Sequence, residues 1–487
     1  MPLSFSRIRS ASLALAAVVA LSAQDGDLAA RLFHSGERAY AAKSYSEAME
    51  TWAQLLQQAP QSTFAARALL RMAQHQVSVE QKPEAALPVL ERIKTEHIKT
   101  PWAAEAMLLR GQILSSQARK AQDLREAIGE FNRVVDLFPD HPAVQSARYH
   151  LGLAAKLQGQ WARALQHFTE VIRLDPTSTV APKAQFQAAE LLDVMGDLQG
   201  CLRLLQGVRN RFPQSPEALE AEWRIAVRVK HRLQRPPLVS TGPWPQGKVK
   251  WLKTPTLLAM GPLGEPCIYQ DDLDQAYMLR GTELIAIGAP AKGAKAMTLN
   301  PAGVPWLVST KTGITSAEAV APILSPNLSA PTGAFLDGWQ NLWVSDAKTP
   351  AITLVASDGT SRTLPSPAAA AMAPLPTGGA VMASDANRSL LFLDATAQPR
   401  LTIPYGKDLP ASFKYVLALC TDPTGNVAAI VDGDFEGVVV WGPDGALLRQ
   451  ATFKALGLNG KYRALALDRQ GGILLADRSN DLLIRLN

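Results

Sequence analysis

Histidine is missing from the C-terminal half of this 487-residue sequence. The seven histidines are His34, His75, His97, His141, His150, His167 and His231. Histidine is the side chain that most often binds catalytic metals or transfers protons near neutral pH. The seven also lack any two-ligand spacing such as H-E-x-x-H. Any chemistry in the second half must therefore proceed without an imidazole.

Cysteine is scarce, with only Cys201, Cys267 and Cys420 in the chain. Three cysteines do not make the disulfide framework that small exported domains use in place of a large core. Cys201 falls at a small-residue position of a helical repeat described below, so we expect it to be a buried thiol. Cys267 and Cys420 can pair only if the fold brings them together.

Excess charge of one sign is also missing from the second half. The formal net charge of the chain is +6, but residues 241–487 contain twenty basic and twenty acidic residues. The surplus of basic residues is spread over the first 240 residues without a Lys/Arg run. Nucleic-acid-binding surfaces concentrate positive charge, so the sequence argues against nucleic acid as a partner.

No apolar run is long enough to span a membrane. The longest, Leu13–Leu21, follows Arg7 and Arg9 and precedes the small pair Ser22-Ala23. This order predicts a signal peptide over residues 1–23, cleaved before Gln24, and a periplasmic or secreted protein that does not span the membrane. No cysteine follows the cleavage region, so a lipid anchor is not expected. A cytosolic N-terminal helix is the alternative.

One stretch organises the first half: residues 151–176, LGLAAKLQGQWARALQHFTEVIRLDP. Gly152 and Ala164 are small where two antiparallel helices would press together, and Phe168 would fill the space beside them. Pro176 cannot continue a helix. These offsets resemble the tetratricopeptide repeat, a helical hairpin that buries its apolar face only by stacking on copies of itself.

Four further copies follow the same plan, with small residues about 37 to 41 positions apart. The anchors are Ala48, Ala86, Ala127, Ala164 and Cys201. The second copy lacks the terminating proline, and the third carries an insertion near residues 117–122. The array covers residues 24–233 and is similar to those of periplasmic bacterial proteins of envelope assembly. That resemblance implies protein or peptide partners in the cell envelope.

The first helix of each hairpin should form the concave wall of a superhelix. Projecting the repeat register places these residues on it: Glu37, Tyr40, Arg71, His75, Gln112, Tyr149, Lys156, Phe186 and Glu190. Mixed aromatic and charged side chains suit an extended peptide or a partner helix. The alternative is that they are solvated helix faces and packing aromatics.

A proline-rich segment, residues 234–247, interrupts the helical pattern and is interpreted as a linker. Over residues 248–487 a polar turn with glycine leads into an apolar strand in six units: residues 262–272, 300–310, 337–346, 376–385, 422–432 and 468–477. These units resemble the blades of NHL-type β-propellers. The alternating Lys248–Leu252 run is expected to close the ring as the outer strand of the last blade, or else to pack on the helical array.

Aspartate recurs where the apolar strand of a unit ends, at Asp271, Asp346, Asp385, Asp432 and Asp477. Because the positions are equivalent, the favoured interpretation is structural: each carboxylate accepts backbone N–H bonds from the following turn. The rival is a ring of carboxylates around a calcium ion, as in lactonase-type propellers. Asp432 also begins a calcium-loop-like run, but Pro443 stands at its twelfth position.

The sequence thus predicts a multidomain protein, all-α followed by all-β: an α-solenoid of about five hairpins, then a six-bladed β-propeller. We expect a non-enzymatic scaffold with no catalytic residue, metal or cofactor, binding partners through the helical array and the propeller. The alternative is a calcium-dependent propeller hydrolase or lactonase with the array as its targeting module.

Overall fold

The computed structural model describes residues 27–247, 249–316, 328–356 and 359–487. The predicted signal peptide and Lys248 lie outside these residues. The chain divides into two compact units. Unit 1 holds residues up to Gln158 together with Gln166–Ala181, and unit 2 holds Gly159–Leu165 together with Pro182–Asn487. The last helices of the array therefore belong to the same compact unit as the propeller.

Within the residues that the structure describes, the helical array consists of five antiparallel hairpins and one further helix, which confirms the predicted fold of the first half. Among the described residues the helices are α1 (residues 27–41), α2 (Tyr45–Gln58), α3 (Thr63–Ser78), α4 (Pro83–Glu96), α5 (Trp102–Gln117), α6 (Leu124–Leu137), α7 (Ala143–Leu157), α8 (Trp161–Leu174), α9 (Ala181–Val194), α10 (Leu198–Arg211) and α11 (Pro216–Arg228). A 3₁₀ turn, Ala121–Asp123, occupies the predicted insertion. A π-helical turn, Val229–Gln234, extends α11.

Small and aromatic residues hold the hairpins together as the repeat pattern predicts. A β-carbon on Gly111 would lie 2.5 Å from the Phe131 ring, and one on Gly152 would lie 2.5 Å from the Phe168 ring. Both rings are fully buried. Since only glycine allows such close approach, these pairs determine how each first helix meets its second.

The second half is a six-bladed propeller. Its strands are β1 (Ser240–Pro243), β2 (Pro255–Met260), β3 (Pro266–Gln270), β4 (Gln275–Arg280), β5 (Glu283–Ile287), β6 (Ala296–Leu299), β7 (Pro305–Ser309), β8 (Gly313–Ser316), β9 (Pro331–Leu336), β10 (Leu342–Asp346), β11 (Ala351–Val355), β12 (Ser361–Pro365), β13 (Ala371–Pro374), β14 (Ala380–Ser384), β15 (Ser389–Leu393), β16 (Pro399–Pro404), β17 (Phe413–Thr421), β18 (Val427–Gly433), β19 (Gly437–Trp441), β20 (Leu447–Thr452), β21 (Tyr462–Leu467), β22 (Ile473–Asp477) and β23 (Leu482–Leu486).

Each blade is an antiparallel sheet whose first strand faces the propeller axis. The blades are β2–β5, β6–β8, β9–β12, β13–β16, β17–β20 and β21–β23 with β1, where β6–β8 counts only the described strands. The inner strands β2, β6, β9, β13, β17 and β21 each neighbour the next, and β21 returns to β2. The six predicted turn-and-strand units contain the second strands of these blades.

The strand that closes the last blade is not the predicted one. Ser240–Pro243, within the segment predicted as a linker, pairs with β23. Its neighbour Val239 exchanges two main-chain hydrogen bonds with Asn487, of 3.2 and 3.0 Å. Leu252 is instead buried in an apolar cluster that also holds Ile268 and is flanked by Val249. Val249 and Leu252 of the predicted closing run therefore pack against the propeller and do not form its outer strand.

Several second and third strands of the blades are buried on both faces because neighbouring blades cover them. Every residue of β10, β14, β15, β19 and β22 is buried. Cys267 is buried at 3.7 Å from the sulfur of Met297. Cys201, Cys267 and Cys420 are all free thiols. The possible Cys267–Cys420 disulfide is not formed.

Candidate functional site

The first helices of unit 1 carry a half-exposed polar and aromatic surface. Arg71 on α3 donates two hydrogen bonds to Glu37 on α1, at 2.8 and 2.7 Å. Its guanidinium also lies 5.7 Å from the ring centroid of Tyr40. The hydrogen bond with Glu37 raises the pKa of Arg71, so the guanidinium stays charged. The structure therefore brings three of the predicted binding residues together.

A second group of predicted residues lies on α5 and α7. Gln112 is 3.0 Å from the imidazole of His150, which joins the first helices of neighbouring hairpins. Tyr149 packs against Phe168, with 5.7 Å between ring centroids, and keeps part of its surface exposed. Lys156 is half-buried two turns further along α7. We call Glu37, Tyr40, Arg71, Gln112, Tyr149 and Lys156 the first-helix face.

His75 is not part of this accessible face. Its side chain is 5% exposed and lies between the rings of Tyr40 and Tyr45, at centroid distances of 5.6 and 5.1 Å. Its Nε2 is 3.5 Å from Glu80. The register projection was wrong here because the neighbouring rings cover the imidazole.

Phe186 and Glu190, in unit 2, are likewise packing residues. Phe186 is 8% exposed, and the guanidinium of Arg224 lies 5.4 Å from its ring centroid. Glu190 forms ion pairs with Arg224 at 2.6 Å and with Arg228 at 3.0 Å. These two residues support the end of the array and leave little surface for a partner.

The ion-pair network around Glu190 was missed by sequence reasoning. Arg228 is 1% exposed and bonds Asp193 at 2.8 Å. Arg232, on the π-helical turn, pairs with Asp193 and donates hydrogen bonds to Asn426 and to the carbonyl of Thr424 in the propeller. The spacing of four residues between Arg224, Arg228 and Arg232 was the available signal, because it places three cations on one helix face.

Two of the recurrent aspartates, Asp346 and Asp477, accept hydrogen bonds from the turn that follows the strand. Asp346 accepts backbone hydrogen bonds from Ser329, Ala330, Lys348 and Thr349, at 2.7 to 3.1 Å. Burial raises the pKa of Asp346, but these N–H donors outweigh burial, and the net shift is downward. The structural interpretation of this carboxylate is confirmed.

Asp477 follows the same pattern as Asp346, whereas Asp385 accepts hydrogen bonds from residues distant in the chain. Asp477 accepts hydrogen bonds from the backbone of Ser479 and Asn480, at 3.0 and 3.2 Å. Asp385 accepts from the Tyr405 hydroxyl at 2.8 Å and from the backbone of Val416 at 3.2 Å. Burial raises the pKa of Asp385.

A cavity of about 460 Å³ lies at the centre of the propeller. Each inner strand contributes an alanine to its wall: Ala259, Ala296, Ala334, Ala371, Ala418 and Ala464. Its charged lining residues are Glu220, Arg224, Lys295, Arg463, Asp468 and Arg469. None of the five recurrent aspartates lines it.

Helix α11 closes one end of this cavity. Arg469, just after β21, is 3.6 Å from Glu220 and 5.5 Å from the ring centroid of Trp223. Arg469 also donates to the carbonyl of Pro262, after β2. Arg224 donates to the carbonyl of Pro423, after β17, at 3.0 Å. The ends of three inner strands are thus tied to one helix of the array.

The predicted calcium-binding alternatives find no matching geometry among the described residues. No group of three or more His, Cys, Asp and Glu side chains there is arranged to hold a metal ion. The calcium-loop-like run from Asp432 to Pro443 is divided between β18, a short connection and β19, so it does not form a twelve-residue loop.

The described helices include no segment that is both long and apolar enough to cross a membrane.

A family model for the tetratricopeptide repeat matches residues 155–222. No curated protein matches the chain. Among solved structures, a tetratricopeptide repeat protein from Parabacteroides merdae is 16% identical, covering 41% of this chain and 73% of its own, with a TM-score of 0.33.

Two solved structures are similar to the second half. A gluconolactonase from Xanthomonas campestris is 12% identical, covering 52% of this chain and 94% of its own, with a TM-score of 0.37. A virginiamycin B lyase from Staphylococcus aureus is 14% identical, covering 51% of this chain and 87% of its own, with a TM-score of 0.34. Because the sequence identities and TM-scores are this low, the activities of these proteins are not assigned to this chain.

Proposed function

We propose that this protein is a non-enzymatic scaffold that binds a protein or peptide partner through the first-helix face. The family match to the tetratricopeptide repeat over residues 155–222 supports a protein-binding role for the helical half. The observation that carries the proposal is the half-exposed Arg71–Glu37–Tyr40 cluster together with Tyr149. Aromatic and arginine side chains with part of their surface exposed are the groups that most often dominate protein interfaces.

The neighbouring first helices supply a continuous support for such a partner. Helix α3 packs on α5, and α5 packs on α7. The cross-repeat contacts Arg71–Glu37 and Gln112–His150 hold the exposed side chains in place before binding. Because less side-chain freedom is then lost on association, this arrangement favours binding of an extended peptide or a partner helix.

The non-enzymatic part of the proposal is supported by how the propeller carboxylates are used. Asp346 and Asp477 are saturated by turn N–H groups, and neither lines the central cavity. A lactonase with a calcium ion in the funnel needs carboxylates that face the ion. Calcium titration by calorimetry tests this directly: we expect no heat of binding, and heat that disappears in the Asp432→Ala protein would overturn it.

Site-specific photocrosslinking in the native host tests the binding face. A photoreactive phenylalanine analogue at Gln112 should crosslink to a partner that mass spectrometry identifies. The same analogue at Gln57, exposed on the second helix α2, should not. Equal crosslinking from both positions would contradict the proposed face.

Affinity measurements with that identified partner complete the test. Tyr149→Ala should weaken binding by about 30-fold, equivalent to roughly 2 kcal/mol. Tyr415→Ala, a matched truncation of a propeller tyrosine that is 53% exposed, should leave the affinity unchanged.

We further propose that the protein acts in the periplasm or outside the cell. The support is the sequence order of Arg7, Arg9, the Leu13–Leu21 run and Ala23. Mass spectrometry of the protein from its native host should give a mature N-terminus at or near Gln24. An intact Met1 would contradict export by a cleaved signal peptide.

A further inference from the structure

We propose that the central cavity of the propeller binds a small organic anion, with its apolar body between the inner strands and its charged group held by Lys295 and Arg463. This site is separate from the first-helix face and does not depend on the scaffold proposal. Size, wall chemistry, charge placement and the closed end at α11 all support it.

The cavity has the volume and wall of a small-molecule site. Ligand pockets commonly occupy about 300–1,000 Å³, and this one has a volume of about 460 Å³. The alanine that each of the six inner strands contributes leaves space that larger side chains would fill. Met260, Met297 and Met372 also line the wall, and their flexible thioethers adapt to irregular apolar shapes. An apolar body therefore has a surface to contact.

Charge is arranged asymmetrically along the cavity. Lys295 directly precedes β6, and Arg463 is the second residue of β21, so both lie where inner strands begin. Strands β6 and β21 are the two neighbours of β2 in the ring. Both side chains are exposed at this end. Two cations beside a low-dielectric wall concentrate anions there.

The two carboxylates in the lining are already neutralised. Asp468 forms an ion pair with Arg485 at 2.7 Å and accepts backbone hydrogen bonds from Gln470 and Gly472. Glu220 accepts a hydrogen bond from the indole nitrogen of Trp223 at 3.0 Å and lies 3.6 Å from Arg469. Both lie at the α11 end, away from Lys295 and Arg463. The charged side chains that line the open end of the cavity are thus both cations.

Helix α11 makes the cavity a one-ended site. Trp223 is half-buried between the guanidinium groups of Arg224 and Arg469, at 4.8 and 5.5 Å from its ring centroid. With the ends of three inner strands joined to this helix, the proposal places the entrance for the ligand at the other end, past Lys295 and Arg463. The apolar body of the ligand would therefore lie deeper in the cavity, and its anionic group would stay at the end that carries Lys295 and Arg463.

A pair of fluorescent probes tests the proposal on the full chain. Anilinonaphthalene sulfonate is an apolar anion, and N-phenyl-naphthylamine has the same ring system without the sulfonate. The double variant Lys295→Gln/Arg463→Gln should weaken binding of the sulfonate about tenfold or more and leave the neutral probe unchanged. Lys407→Gln/Lys454→Gln, which removes two exposed propeller cations outside the cavity lining, is the matched control and should change neither affinity.

A third variant locates the probe. Thr298→Trp adds a large side chain to the cavity wall and should reduce binding of both probes, with circular dichroism confirming that the propeller is folded. Equal loss of sulfonate binding in the two double variants would show a general charge effect and overturn the proposal. The proposal would also be overturned if the Lys295/Arg463 variant lost affinity equally for both probes, or if it bound the sulfonate as tightly as wild type. These two outcomes can be measured even if the Thr298 variant does not fold.

Discussion

Gly152 lies directly against the ring of Phe168: a β-carbon at position 152 would be 2.5 Å from Cε1 of that ring. The ring is completely buried and belongs to the second helix of the hairpin. The contact exists because glycine has no side chain, and the aromatic residue fills the space that this leaves. The distance between the two helices therefore depends on both residues.

Gly152→Ala should destabilise the array, since overpacking a tight site costs about 1–3 kcal/mol. Gly129→Ala on α6 is the matched control: a β-carbon there meets no atom within 4 Å, so alanine should stabilise its helix by about 0.5–1 kcal/mol. Urea unfolding followed by circular dichroism at the helix band measures both. Phe168→Ala should cost more, about 3–5 kcal/mol. Equal effects of the two glycine substitutions would contradict the packing argument.

The pairing of Gly152 with Phe168 shows why the array was predictable from sequence. A small residue and an aromatic at fixed offsets are local constraints that recur in each hairpin, and so are the glycine turns of the blades. Arg228 and Phe186 were not predictable in the same way. Their environment is created by α10, α11 and the propeller, which meet only in three dimensions, so a register projection could not tell a packed side chain from an exposed one.

The sequence correctly predicted that a strand from the start of the propeller half closes the last blade, but it predicted the wrong residues for that strand. A linker was predicted here because of the prolines at positions 236, 237, 243 and 245. An outer strand nevertheless tolerates proline, because one of its edges has no hydrogen-bonding partner. Residues 248–252 had the better alternating pattern, but Val249 and Leu252 pack in an apolar cluster of the propeller instead. The central cavity was likewise unpredictable in detail, because its charge distribution depends on which ends of the inner strands α11 covers.

Truncation tests the closing strand. A propeller fragment starting at residue 234 should be more stable than one starting at residue 246, which leaves the edge of β23 unpaired. Residues 239, 244 and 487 donate main-chain hydrogen bonds across this pair. At about 1 kcal/mol each, the difference should be about 3 kcal/mol in urea unfolding. Fragments of equal stability would show that residues 240–243 are dispensable for closure.

His231 should make unit 2 sensitive to acid. Its side chain is fully buried beside Gly471. Burial lowers the pKa of His231 to about 4, with the nearby cations Arg449 and Lys230 acting in the same direction and Asp422 opposing them. The unfolded chain takes up this proton near pH 6.5. Stability from the neutral imidazole is therefore complete above about pH 6.5 and is lost as the pH falls towards 4.

Unfolding free energies at several pH values between 6.5 and 4 measure this effect. One proton contributes at most about 1.4 kcal/mol per pH unit, so His231→Leu should flatten the pH dependence by up to that slope. His34→Leu, at an exposed position on α1, is the matched control and should keep the wild-type slope for unit 2. Identical slopes in wild type and the His231 variant would remove this histidine as the cause.

The buried guanidinium of Arg228 should be the most sensitive charge in the array. It is 1% exposed and bonds Asp193 at 2.8 Å and Glu190 at 3.0 Å. Arg228→Met therefore removes one partner from each of two largely buried carboxylates. Removing one member of a buried pair costs about 3–5 kcal/mol. Arg173→Met is the matched control: its ion pair with Glu170 is solvent-exposed and should leave urea unfolding unchanged. If both variants unfold at the wild-type urea concentration, the Arg228 network does not hold the end of the array to the propeller.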